Sequence, residues 1–272
     1  MTLNEAHSII SEPLEHESEG ASVDAFHNGD FKVLQPTSSG HRSGLDALLL
    51  AASVPADASG ILADFGAGAG VAGFAALNLN KELDLISVEL NQEMAGLASR
   101  SLQLEGNETL KTRAKIIKAD ITANGTERLK SGLEPDSVSH GIMNPPYNKS
   151  RYRPPADMMK AEAYMLGEGG IDAWFRTAAA MIKPGGTLTM IYRTEDLGDI
   201  LACAQGRFGG LEILPVHSHK DEAAKRLIVR GTRGSRAPMM IVPGFVVHQD
   251  NGSFTTEAQT VLAGESRIRF AG

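Results

Sequence analysis

The chain of 272 residues contains one cysteine, Cys203. No intramolecular disulfide can form and no cysteine cluster can hold zinc, so a reducing, cytoplasmic setting is expected. No stretch reaches about 18 apolar residues, which argues against a membrane-spanning helix. The N-terminus lacks a positive segment followed by an apolar run, the pattern of a secretory signal. No repeat recurs at solenoid spacing. The eight histidines show no metal-ligand spacing, and no Ser-His-Asp or Cys-His arrangement can be argued, so no metal and no covalent intermediate are expected. Residues 1–30 contain no Lys or Arg but seven acidic groups: Glu5, Glu12, Glu15, Glu17, Glu19, Asp24 and Asp30. The remainder carries 26 basic and 26 acidic side chains, so the net charge of −7 belongs to the leader and local patches decide what the body attracts.

Hydrophobic residues make up 42% of the chain, enough for a sizeable core without covalent staples. Residues 1–23 read as an acidic, flexible leader, and residues 24–272 as a single domain with a short C-terminal appendage. Phe31 to Leu34 is a strand candidate stopped by Pro36, and Leu45 to Ala52 an apolar helix ending before Pro55. An alternating pattern follows. Strands are expected over Ile61–Phe65, Leu83–Val88, Ala114–Ala119, Ser137–Met143, Thr187–Tyr192, Leu211–Val216 and Arg226–Arg230. Helices are expected over Val71–Leu79, Gln92–Leu104, Ile171–Ile182 and Asp196–Gln205. Strands separated by helices of this length form βαβ units, hence an α/β fold with a doubly wound, mostly parallel, Rossmann-like sheet. After residue 237, Pro243-Gly244 and Asp250-Asn251-Gly252 are turn signals, and an irregular or hairpin tail is expected.

Two motifs carry chemistry. The first is Asp64-Phe65-Gly66-Ala67-Gly68-Ala69-Gly70, which follows a strand and opens a helix. Glycines allow a sharp turn and close backbone approach to a ligand. The spacing differs from the dinucleotide fingerprint, which serves a pyrophosphate. It suits S-adenosylmethionine, with Asp64 toward the ammonium end. Glu89 closes the second strand, where a carboxylate can accept from both ribose hydroxyls, and Asp120 closes the third, where it can accept from the adenine amino group with Ile121 against the ring. A tight structural turn and ordinary helix capping are the competing readings of these residues.

The second motif, Asn144-Pro145-Pro146-Tyr147, ends the fourth strand of the alternating series, where open α/β sheets hold their ligands. A conjugated amino nitrogen is a poor nucleophile that must be aligned with a methyl group and relieved of developing positive charge. The Asn144 side-chain oxygen and the Pro145 carbonyl can both accept from such an NH2 group. Pro146 stiffens the turn, and Tyr147 offers a flat face for stacking.

With both motifs in hand, the chain resembles the class I S-adenosylmethionine-dependent methyltransferases that act on amino groups, and more closely the bacterial tRNA(Val) adenine-N6-methyltransferase family. The second resemblance also rests on Gly40 to Leu50, Ala224-Lys225-Arg226 and Gly234 to Pro238, and spans about residues 24–262. It implies an adenine in RNA, tRNA in particular, as acceptor, and a methionine-end pocket lined by the region from Arg42 to Asp46. Release-factor glutamine methyltransferases share the Asn-Pro-Pro-Tyr motif and remain an alternative acceptor class, though the polar residues before Ile61 are too few for their helical substrate domain. A non-catalytic RNA-binding protein that keeps the fold is the alternative outside enzymes.

Two basic clusters bear on the substrate. Lys149, Arg151, Arg153 and Lys160 follow the second motif, with Tyr152 among them. Lys220, Lys225, Arg226, Arg230, Arg233 and Arg236 form the other. Together they can make a rim for a phosphate backbone, or be ordinary solvated faces. His217 and His219 read as surface residues, and Trp174, the only tryptophan, as core. Oligomeric state is not legible.

Overall fold

The computed structural model describes residues 12–18, 20–37, 44–146 and 169–270, the first of these stretches by its backbone only. Strands β1 (Glu12–Ser18), β2 (Ala21–Phe26) and β3 (Phe31–Pro36) form a small antiparallel sheet in that order. β1 is a correction to the flexible leader. Leu14 pairs with Val23 and Ser18 with Ala21, across a turn in which Gly20 takes a left-handed φ of 86°. Ala21, Val23 and Phe26, with Phe31 and Val33, are buried, an apolar content that the acidic composition of the segment conceals.

The main sheet contains β4 (Gly60–Phe65), β5 (Leu83–Glu89), β6 (Ala114–Lys118), β7 (Val138–Met143), β8 (Ile182–Arg193), β9 (Phe208–His217), β10 (Arg226–Arg233), β11 (Met240–Ile241) and β12 (Phe245–Val246). Its order is β11-β9-β10-β8-β7-β4-β5-β6, with β12 also on β9. β4 to β8 are mutually parallel, and β10 is antiparallel to both its neighbours. The helices are α1 (Leu45–Ala52), α2 (Val71–Leu79), α3 (Gln92–Ser101), α4 (Glu108–Lys111), α5 (Gly125–Lys130), α6 (Gly170–Met181), α7 (Leu197–Ala204) and α8 (Thr256–Leu262).

Both faces of the sheet are covered, as parallel strands require. Alternation along single strands divides the core. Leu62, Ile142, Ile191 and Ile228 pack toward α1 and α2, whereas Ala63, Met143, Met190 and Val229 pack toward α6 and α7. The tail is not an appendage. Val242, Phe245, Val247, Phe254, Ala258, Val261, Leu262 and Ile268 are buried in the α1–α2 core, and the Ile268 amide donates to Ala52 O. Turn signals mark where this segment bends, but its apolar residues are too scattered in sequence to announce one buried face. Among the described residues no helix is long and apolar enough to cross a membrane.

Candidate active site

β4 is the pivot of the sheet. From it the chain winds out through β5 and β6 on one side and β7 and β8 on the other, and a crevice opens beyond the strand C-termini at such a reversal. Register brings both motifs there. Phe65 pairs with Met143 across β4 and β7, so Gly66 and Asn144 leave adjacent strands side by side, about 5 Å apart at strand spacing. Phe65 also pairs with Val88, and Glu89 with Lys118, which aligns Glu89 and Asp120 along the same edge.

The glycine turn needs its glycines. Gly66, Gly68 and Gly70 have φ of 74°, 56° and 95°, the left-handed region. A Cβ on Gly66 would collide with the Trp174 ring, whereas one on Gly68 would meet only Met94 Cε, at 3.6 Å. Gly66 is therefore closed by packing from beneath, and Gly68 leaves its backbone open. Gly66 and Ala67 amides donate to Val88 O at 2.8 and 3.0 Å, and the Gly68 amide donates to Glu89 Oε2 at 2.7 Å. Glu89 Oε1 accepts from the Asn91 amide at 2.7 Å. Each carboxylate oxygen keeps a second lone pair, so Glu89 can still receive hydroxyls. Asp120 Oδ1 accepts from the amide and hydroxyl of Thr122, both at 2.7 Å, and Ile121 is buried beside it.

Asp64 is a correction. Its side chain is 2% exposed and its Oδ2 accepts from the Gly73 amide at 2.9 Å. Gly70, the N-cap of α2, has no side chain to cap the helix. Asp64 thus caps the third residue of α2 from the preceding strand. Burial is the main cause that pushes its carboxyl up to about 7, with the Gly73 bond opposing and the Glu89 charge adding. A carboxyl so enclosed supports the turn and is not open to an ammonium group.

Asn144 is half-buried, and among the described residues its amide makes no hydrogen bond; Pro145 is buried. Tyr192, buried at the end of β8, donates its hydroxyl to Pro146 O at 3.2 Å. It anchors the proline turn from the neighbouring strand. Nothing in the sequence around Tyr192 marks this role, because it depends on β8 lying beside β7.

The remaining expected site residues scatter. Asp46 and Arg226, assigned to cofactor and substrate respectively, pair with each other, Nε to Oδ2 at 2.6 Å. The second basic cluster is not one patch. Arg230 pairs with Glu212 in mid-strand and lies over the Phe270 ring, and Arg233, at the far end of β10, meets Asp136 and Ile182 O. Seven residue steps along the strand, about 23 Å, separate Arg226 from Arg233. Arg226 lies at the site edge, since it pairs with Arg193 at the C-terminal end of β8, and Lys220 and Lys225 are exposed in the β9–β10 connection that leads to it. Arg42, Tyr147, Lys149, Arg151 and Arg153 lie outside the described residues. No group of three His, Cys, Asp or Glu able to hold a metal occurs among the described residues.

A doubly wound sheet with a glycine turn and acidic strand ends at its switch point defines a class that holds a nucleoside-bearing cofactor against a second substrate. Residues 41–204, more than half of the chain, match the model of the methyltransferase small domain, and the chain belongs to that family. It is 33% identical to a protein from Agrobacterium tumefaciens described as a predicted O-methyltransferase, over 82% of this chain and 98% of that one, with a TM-score of 0.71. The fold is shared with P. horikoshii TYW2 in complex with MeSAdo (TM-score 0.54, 11% identity, 81% of this chain and 74% of that one). It is also shared with M. jannaschii TYW2 in complex with AdoMet (TM-score 0.54, 10% identity, 81% and 90%). No curated relative matches the chain.

The protein is a methyltransferase that depends on S-adenosylmethionine, and the crevice fits that group. The open backbone at Gly68 admits close approach, Glu89 has lone pairs for ribose hydroxyls, and Asp120–Ile121 pairs an acceptor with an apolar wall.

Proposed function

We propose that this chain methylates the exocyclic amino group of an adenine in RNA, with tRNA as the substrate. The observation that carries the reading is the Asn144 amide, half-buried, unbonded among the described residues, and one strand from the glycine turn. When bound, S-adenosylmethionine supplies a methyl group on a sulfonium. The chain's residues do the rest. Asn144 Oδ1 and Pro145 O accept the two amino hydrogens, which orients the nitrogen and favours the positive charge that grows on it. Tyr192 steadies the turn through Pro146 O. Gly66, Gly68, Gly70, Glu89, Asp120 and Ile121 hold the cofactor, and Tyr147 stacks on the base.

An oxygen acceptor, as in the description of the Agrobacterium relative, places a different demand on the site. A hydroxyl must surrender its proton to a base during attack. An amide and a peptide carbonyl accept hydrogen bonds but cannot take a proton, so Asn144 and Pro145 suit nitrogen. The choice of RNA rests on the resemblance of the motifs and on the run Lys149, Arg151 and Arg153 directly after the turn, a charge pattern that suits phosphates.

The test supplies tritiated S-adenosylmethionine with bulk tRNA lacking the modification, with release factors and with hydroxylated small molecules. Label in N6-methyladenine of tRNA is the expected result. Label in a release-factor glutamine or on oxygen would replace the acceptor, and cofactor binding with no transfer to any acceptor would favour a binding protein.

A further inference from the structure

Helix α6 touches both turns that form the cofactor crevice. Trp174 and Thr177, three residues apart, lie on one face of the helix, and both are buried. The Trp174 ring fills the space that a Cβ on Gly66 would need. The Thr177 hydroxyl donates to Ile121 O. Arg128 Nη1 closes the arrangement, donating to Thr177 Oγ1 at 3.0 Å and to Ala123 O at 2.9 Å. The segment from Asp120 to Ala123 is thus tied to α6 directly at the Ile121 carbonyl and through Arg128 at the Ala123 carbonyl, and the glycine turn rests on the same helix one turn earlier.

From this geometry we infer that Trp174 and Thr177 are positioning residues for the cofactor, acting through Gly66 and through the Ile121 peptide. The inference rests on the adenosine end lying against Asp120 and Ile121. Thr177 sets the orientation of the Ile121 peptide and therefore the direction in which Asp120 presents its carboxylate. Without that bond the Ile121 carbonyl is left buried and unpaired, and the loop must shift to find another donor. Trp174 sets the height of the turn at Gly66. Both contacts are made to parts of the crevice that lie before and after β5 in the chain, so a single helix holds the two walls at a fixed separation.

Thr177→Val keeps the shape of the side chain and removes the hydroxyl. Equilibrium dialysis with labelled S-adenosylmethionine should show binding about tenfold weaker, because the variant loses the bond to Ile121 O together with the one accepted from Arg128. The KM for the cofactor should rise in parallel while kcat changes less than about twofold. Thr177→Ser, which restores the hydroxyl, should return both values to the wild-type range. A second measurement needs no variant. Trp174 is the only tryptophan of the chain, so all tryptophan emission comes from the ring beneath the turn, and titration with cofactor should change its intensity or wavelength. Weaker folding of Thr177→Val with unchanged cofactor affinity would overturn the inference, as would wild-type binding seen by dialysis without any change in emission. Failure of the wild-type protein to bind the cofactor at all would instead overturn the assignment of the site.

Discussion

Replacing Asp64 by asparagine tests the scaffold role of that residue directly. The carboxyl is fully enclosed, and burial raises it from 3.8 to about 7. A difference of about 3 units at roughly 1.4 kcal/mol each makes the cost of ionising it in the folded protein about 4 kcal/mol. Below pH 4 the group is protonated in both states and the cost is absent. Between about pH 4 and 7 the folded chain keeps a proton that the unfolded chain has lost, so stability falls as pH rises; above 7 the full cost is present. The amide of the variant cannot ionise, and its side-chain oxygen can still accept from the Gly73 N–H. The expected result is near-equal stability of the two proteins at pH 4 and an advantage for Asp64→Asn that grows toward about 4 kcal/mol by pH 8. Urea denaturation at five pH values, compared as differences, removes every other titrating group. A difference that stays flat with pH, or a wild-type protein that is the more stable at pH 8, would refute the reasoning. Dialysis adds a second readout. Cofactor affinity within about twofold of wild type fits a helix cap, whereas loss of an ion pair to the ammonium group would weaken binding by tenfold or more.

Four further outcomes follow from the geometry. Asn144→Ala should abolish turnover and leave cofactor affinity by dialysis nearly unchanged; a large loss of binding would remove Asn144 from the amino group. Tyr192→Phe, which frees Pro146 O, should lower kcat about tenfold with little change in cofactor affinity, measured by single-turnover transfer. Gly66→Ala should cost several kcal/mol of stability by thermal denaturation, because a left-handed φ and the Trp174 ring both oppose a Cβ, whereas Gly68→Ala, strained in φ only, should fold and bind cofactor poorly. Neutralising Lys149, Arg151 and Arg153 together should weaken RNA binding and lower the slope of affinity against salt by up to about three contacts; an unchanged slope would return this run to a solvated face.

Local chemistry made much of this protein readable from residue order. Leu45–Ala52 and Val71–Leu79 have the expected helical bounds, because apolar runs closed by turn residues specify an element without reference to the rest of the chain. The glycine turn and the Asn-Pro-Pro segment were legible for the same reason: positive φ and missing N–H groups leave marks in sequence. β1 and the buried tail were not legible. Acidic residues around Leu14 and turn residues around Phe245 and Phe254 dominate the local composition, while burial is decided by distant surfaces.

The sequence by itself determined the strand-helix alternation and the two motifs at strand ends. Only the tertiary structure decided what each charged or polar side chain meets. It turned Asp64 onto Gly73, joined Asp46 to Arg226 across the fold, divided the arginines of β10 among separate carboxylates and brought Tyr192 to Pro146. The physical reason is that turn and period preferences act over a few residues, whereas these partners lie up to 180 residues apart and meet only through strand order and register.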